Sequence, residues 1–224
     1  GRALDELPAA IVEYCRDRDL ELSGHAGPEA QVAAISDDIA NNNHDIDDGL
    51  RAGLFAIGDL KALPLVGEMF AGVEKKYPGL DQPRLIHEAI RRMINAMVED
   101  VLAETRRRLA DTRPKTVADV RALGRPVVAF SERMAANDRT IKAFLYRNMY
   151  EHWHLNRSHS KARRVVMDLF DLLFAEPNCL PPPWRERAET ADRPVRARLV
   201  ADYIAGMTDR FALDEHKRLF DLDA

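Results

Sequence analysis

With 224 residues, of which 46% are hydrophobic and 31% charged, the chain is long enough to bury a real core and too apolar to be disordered. A net charge of -4 gives no global basic field for nucleic acid, and the two distant cysteines, Cys15 and Cys179, form neither a zinc ribbon nor a disulfide framework. No apolar run approaches the ~20 residues needed to span a bilayer and the first six residues, Gly1 to Glu6, are no signal peptide, so a reducing, cytoplasmic home away from the membrane is expected.

Taken in order, Leu7 to Leu20 reads as a helix with Ala10, Ile11, Tyr14 and Cys15 on one side. Residues 20–27 form a glycine-containing loop, and Pro28 and Glu29 open the next helix. Gly49, Gly53 and Gly58 predict a close helix crossing or a bend, residues 58–64 a break, and Leu65 to Lys76 a further helix stopped by Tyr77-Pro-Gly79. Pro83 to Leu109 is the clearest helix, its apolar positions recurring at three and four residues from Leu85 through Val98 to Leu102. Arg106, Arg107 and Arg108 would occupy its last turn, as partners of the helix dipole or as a phosphate-binding run.

Thr116-Val-Ala-Asp119 opens a short helix with a capping box. Pro126 to Asn137 is read as the next segment, and Asp138 or Thr140 as the cap of a helix over 141–154. Ser158 or Ser160 would open a helix ending at Phe174, and residues 177–183 read as a loop. Helices over 193–208 and 214–222 close the chain. Nothing alternates with period two, so the expected fold is all-α, with a first part over 1–76 and a helical subdomain over 77–224.

Chemistry concentrates between Ser36 and Leu50, which hold five aspartates, three consecutive asparagines and His44. At ~100° per residue, Asp37, Asn41, Asp45 and Asp48 fall along one helical stripe. Such a row of carboxylates suits a cation such as Mg²⁺ or Mn²⁺, or other transition metals if an imidazole joins; it equally suits a solvated polar face. His44 and Asp48, at i and i+4, form a second possible chelating pair. A second concentration is the stretch from Tyr146 to Lys161, where Arg147, His152, Arg157 and Lys161 interleave with Tyr150 and Trp153. It could grip a polyphosphate and stack a base, or it could be a helix end with solvated cations. No GxxxxGK[ST], GxGxxG or GxSxG is present, which removes P-loop, Rossmann and serine-hydrolase readings.

The run from Glu29 to Gly53, with Ile-Ser-Asp-Asp-Ile-Ala-Asn-Asn-Asn-His-Asp-Ile-Asp-Asp-Gly at its centre, resembles the bacterial deoxyguanosine triphosphate triphosphohydrolase-like family. The stretch from Asp202 to His216 resembles a second signature of that family, and Met149 to His152 and Lys161 to Phe170 also fit. The resemblance implies an all-α phosphohydrolase of the HD type, which hydrolyses dNTPs such as dGTP to a deoxynucleoside and triphosphate. It implies a divalent metal held by a histidine, a His-Asp pair and a later aspartate, the last matching Asp37, with Asp45 as a catalytic acidic position. Asn41 stands where the family usually has a tyrosine that reaches substrate. The other ligands belong to a half that precedes Gly1 in the family, so the chain is expected to be a C-terminal portion, inactive by itself.

Arg147, His152, Arg157 and Lys161, with Asn41, are the candidate substrate contacts. The resemblance further implies a homo-oligomer and a nucleotide or single-stranded DNA effector. The alternative from another class is a non-catalytic helical interaction module that retains the fold.

Overall fold

The computed structural model describes residues 7–22 and 24–222; Gly1 to Glu6, where no signal peptide was read, and Ser23 in the first loop lie outside them. Among the described residues there is no strand, and eleven α-helices follow one another: α1 (Ala9–Asp17), α2 (Pro28–Arg51), α3 (Ile57–Leu60), α4 (Pro64–Lys76), α5 (Gln82–Thr112), α6 (Val117–Ala122), α7 (Glu132–Leu145), α8 (Trp153–Ala175), α9 (Pro182–Thr190), α10 (Arg193–Ala205) and α11 (Asp209–Phe220). A π turn, Tyr146–Tyr150, follows α7, and a 3₁₀ turn, Pro177–Cys179, follows α8. The all-α expectation holds. No helix is long and apolar enough to cross a membrane among the described residues.

Packing divides the chain into two compact units, Gly1–Tyr150 and Glu151–Ala224. Residue 76, where the sequence suggested a subdivision, lies inside the first unit, between α4 and α5, which pack on each other. In this unit α5 is the central rod. Asp81 caps it by accepting the Arg84 amide at 3.0 Å, and it buries Leu85, Ile86, Ala89, Ile90, Met93, Met97 and Val101. Val98 and Leu102 do not join that face and are exposed, since towards its C-terminal half α5 buries only the narrower row Met93, Met97 and Val101. Against α5 pack α4, through Val66, Phe70 and Val73, and α2, through Ile39, Ile46 and Leu50.

Two glycines in this unit are required by close approach. A Cβ on Gly49 would lie 2.3 Å from the Phe55 ring, which is itself packed edge-on to Phe144. One on Gly67 would lie 2.3 Å from the Lys61 carbonyl oxygen. The expected close crossing is therefore a chain folding back on the end of α2. Gly58 meets only open space, and Gly53, at φ 68°, serves the turn.

Several boundaries differ from the sequence reading, each for a physical reason. Helix α1 leaves Ile11 and Tyr14 exposed instead of forming an apolar seam. Residues 126–130 are not helical: Val127 and Val128 are buried with their amides donating to Gln31 Oε1 at 2.9 and 3.1 Å, a partner from α2. Helix α7 starts at Ser131, whose amide and hydroxyl both donate to Asp100, at 2.8 and 2.6 Å. It runs through Asp138 and Thr140, which cap nothing; Thr140 Oγ1 donates back to Ala136 O at 3.0 Å. Helix α8 begins at Trp153, well before the expected start at Ser158 or Ser160, which are exposed interior positions. The three prolines 181–183 open α9 where a loop was expected, since proline suits a first helical turn. Thr208 caps α11 through the Phe211 amide at 3.3 Å, so this helix starts well before Asp214.

The second unit has its own small core of Leu173, Leu180, Ala188, Leu199 and Val200, with Trp184 and Tyr203 against it. His216 on α11 meets Asp168 on α8 at 2.8 Å.

The arginine run is structural, though not as a dipole partner, because α5 continues to Thr112 beyond it. Arg107 and Arg108 both donate to Glu104, and Arg107 also pairs with Asp111. One turn-and-a-half from the start of α5, Arg91 and Arg92 clasp Glu88 in the same way. Each clasp, chiefly through its two arginine hydrogen bonds, holds the glutamate at about 2, well below its usual 4.5.

Two outcomes follow from this packing. Gly49→Ala should lower stability by about 1–3 kcal/mol in urea unfolding, as overpacked sites do, and Gly67→Ala by more because its obstacle is backbone. A carboxylate whose folded value lies below its unfolded value stabilises above the unfolded value. The contribution of Glu88 and Glu104 is thus present above about pH 4.5 and lost as pH falls towards 2. The thermal midpoint should drop through this window, and the double variant E88Q/E104Q should show a flatter acid limb.

Candidate functional site

Helix α2 has to serve two surroundings. Its core face carries Ile39, Ile46 and Leu50, but also two buried asparagines, Asn42 and Asn43. Each step of four residues turns the helix by ~40° beyond a full circle. The stripe Asp37, Asn41, Asp45 therefore winds from solvent towards the neighbouring helix: Asp37 and Asn41 are exposed, Asp45 half-buried. Asn41 Nδ2 donates to Asp37 Oδ2 at 3.2 Å, tying the first two members together. Asp48 stays exposed on α2.

Asp45 meets a partner 105 residues away in sequence, the Tyr150 hydroxyl, which donates to Asp45 Oδ2. The phenol is pushed up to about 12, first by this hydrogen bond, then by burial and by the aspartate's charge. It is thus a proton donor throughout the physiological range. Tyr150 ends the π turn, an arrangement that often marks functional sites in otherwise regular helices. The sequence reading counted Tyr150 only as an interleaved aromatic.

A second link between α2 and α7 lies beside the stripe. Asn42 Nδ2 donates to Asp138 Oδ1 at 2.7 Å, both residues being buried. Lys142 Nζ bridges Asp138 Oδ2 at 3.1 Å and Asp38 Oδ1 at 3.2 Å. Burial disfavours the Lys142 charge, but its hydrogen bonds to Asp138 and Asp38 and their charges outweigh that and hold the ammonium above its usual range. Asn43 donates to Ile39 O at 2.7 Å, and its Oδ1 is buried without a partner among the described residues. In the sequence Asp138 reads only as a helix cap, and Lys142 carries no signal beyond its residue type.

The donor set for a metal is incomplete in this chain. Among the described residues no three His, Cys, Asp or Glu side chains gather closely enough to hold an ion. Asp37 offers a single carboxylate, with Asn41 already on Oδ2. The His44–Asp48 chelate gains no third ligand; His44 instead lines a cleft of about 310 Å³ with Asp47, Arg51, His87 and Arg91, and Asp47 accepts both its bonds from Arg51 at 2.9 Å. A bound metal does not fit these described residues by themselves.

The remaining candidates are distributed over both units. Arg147 is exposed within the π turn of the first. In the second, His152 precedes α8 and has a buried Nδ1 without a hydrogen-bond partner among the described residues. Arg157 lies 5.6 Å over the Trp153 ring, and both line an open cleft of about 620 Å³ with Lys161 and Arg164. The structure thus brings Asp37, Asn41 and Asp45 onto one surface and adds Tyr150. Arg157 and Lys161 share a cleft on α8, and His152 stands just before that helix.

Comparison with known proteins gives this geometry a context. Residues 128–218 match the model of a phosphohydrolase-associated domain. The chain is 57% identical over 222 residues to a deoxyguanosinetriphosphate triphosphohydrolase-like protein of Parvibaculum lavamentivorans, covering 99% of the chain and 56% of that relative. It is 52% identical over 221 residues to a like-named protein of Azorhizobium caulinodans (99% of the chain, 55% of the relative) and 50% over 215 residues to one of Caulobacter vibrioides (96% and 54%). The chain spans about half the length of the curated relatives it matches. Across nearly every residue, then, the chain is similar to about half of each of these deoxyguanosinetriphosphate triphosphohydrolase-like proteins, and it carries the phosphohydrolase-associated domain over residues 128–218.

Proposed function

We propose that this chain is the C-terminal portion of a metal-dependent dNTP triphosphohydrolase, converting dGTP and water to deoxyguanosine and inorganic triphosphate. The observation that carries the reading is the α2 stripe: Asp37 and Asp45 two turns apart, with Asp45 held by the Tyr150 hydroxyl. The names of the relatives and the phosphohydrolase-associated domain support a hydrolase.

In this reading Asp37 is one ligand of a Mg²⁺ or Mn²⁺ ion whose other ligands come from groups outside the described residues. Such an ion, when bound, would polarise phosphoryl oxygens and make water a better nucleophile. Asp45 orients substrate or water, and Tyr150, kept protonated, supplies a hydrogen-bond donor beside it. Arg147 and His152 offer charge-assisted or neutral hydrogen bonds to phosphate, and Arg157 and Lys161 further cationic contacts. Asn41 reaches less far than the tyrosine the family usually has there, and its amide is occupied on Asp37. A homo-oligomer, a nucleotide or single-stranded DNA effector and a cytoplasmic location belong to the same proposal.

That Asn41–Asp37 bond is also the observation that favours a second reading, a non-catalytic helical module retaining the fold. The two readings separate in one assay. The isolated chain should release negligible triphosphate from dGTP with Mn²⁺ or Mg²⁺; robust release would overturn the ligand assignment. Supplied with the other half of the Parvibaculum lavamentivorans relative, it should gain turnover that Asp37→Ala lowers by at least about 100-fold, since even outer partners of metal sites cost 10–100-fold. Asn41→Tyr should raise that turnover. Silence of both the complemented chain and its Asn41→Tyr variant would establish the module instead.

A further inference from the structure

The contact between Tyr150 and Asp45 needs a reason to form, because α7 and its π turn are an independent stretch of chain until something fixes them on α2. Apolar packing by Ile141 and Leu145 holds α7 in the core but leaves it free to slide or rotate, since dispersion and burial have little direction. The directional element is the buried pair Asn42–Asp138, at 2.7 Å, with the Lys142 ammonium closing onto Asp138 and Asp38. A buried carboxylate is tolerated only where hydrogen bonds and an opposite charge surround it, so Asp138 admits one placement of α7.

The π turn completes the register. On an uninterrupted α-helix, positions 138, 142, 145 and 149 would share one stripe, and Met149 would follow Leu145 towards α2. An i→i+5 turn adds one residue, which brings residue 150 round towards α2 while Met149 stays half-buried against the core. Tyr150, and not Met149, then presents its polar end to Asp45.

We propose that Asp138 is a positioning residue: by fixing α7 on Asn42 it sets, through the π turn, where the Tyr150 hydroxyl meets Asp45. The inference rests on the reading of Asp45 as an active-site acid, but the positioning itself can be measured without turnover. Lys142 takes part as the counter-charge that makes the buried carboxylate stable.

The test labels the chain with tyrosine ¹³C at the ring carbon bearing the hydroxyl and follows the five tyrosine signals against pH by NMR, with Tyr150→Phe to assign the signal. In the native chain Tyr150 should ionise near 12. In Asp138→Ala its midpoint should fall towards the ordinary ~10, with helix content retained in circular dichroism at neutral pH. Asp138→Asn keeps an oxygen for Asn42 and should restore much of the native behaviour, which a general loss of stability would not produce. Should Asp138→Ala lose its helix content, Lys142→Met takes its place, expected to move the Tyr150 midpoint in the same direction. An unmoved Tyr150 midpoint in folded Asp138→Ala, or in Lys142→Met where that variant replaces it, overturns the positioning role whatever the activity. In the complemented enzyme, Asp138→Ala and Tyr150→Phe should lower kcat to a similar extent, about 10–100-fold, as supporting partners of catalytic groups do. A displaced Tyr150 midpoint with kcat unchanged in both variants leaves the positioning intact and overturns the role of the Tyr150 hydroxyl in turnover.

Discussion

The buried bond from Asn42 to Asp138 is the constraint on which the first unit's polar surface depends. Most of that unit is held by apolar packing between α2, α4 and α5, and such packing has little direction of its own. A carboxylate enclosed by protein has no such latitude. If α7 moved by a few ångströms, Asp138 would lose Asn42 and part of Lys142, leaving a charge without compensation, at a cost of several kcal/mol. The bond thus turns a loosely specified helix contact into a specific one. Asp100 acts similarly at the other end, where its carboxylate takes both the amide and the hydroxyl of Ser131 and fixes where α7 begins.

The helices that were legible in the sequence are those whose boundaries are local matters. Helix α5 announces itself by periodic apolar residues and by a proline in its first turn, and α4 by the Tyr77-Pro-Gly79 stop, with Pro64, read as part of a break, as its first residue. The misreadings occur where a distant residue decides. Residues 126–130 look helical until Gln31, almost a hundred positions earlier, takes the amides of Val127 and Val128. Asp138 looks like a cap because an isolated aspartate prefers one, and it becomes an interior residue only because Asn42 is waiting. The arginine run was read as structural, but its partner was assigned to the helix dipole. The partners are Glu104 and Asp111, one turn to either side of Arg107.

The candidate site divides in the same way. The stripe Asp37, Asn41, Asp45 could be seen in the sequence because it lies on one helix and follows from periodicity alone. Tyr150 could not be placed opposite Asp45, since the contact spans 105 residues and depends on a π turn that shifts the face by one position. Residue type gave no warning either: the stretch 146–161 holds several aromatics and cations, and nothing in their order singles out Tyr150.

Asn41 gives the stripe its character. Between two carboxylates on successive turns, an amide that donates to Asp37 removes some of the repulsion that a row of acids would otherwise carry. A tyrosine at the same position could not do this with the same geometry, because its hydroxyl lies much farther from the helix than an asparagine amide. Asn41 therefore stabilises the stripe in the absence of a ligand, at the expense of occupying an oxygen of Asp37. Tyr150 does the corresponding service for Asp45 from across the unit, held there by the placement of α7 on Asn42. One carboxylate is quieted by an amide on its own helix and the other by a hydroxyl from a distant stretch of the chain, so Asp45, unlike Asp37, depends on the packing of α7 for its partner.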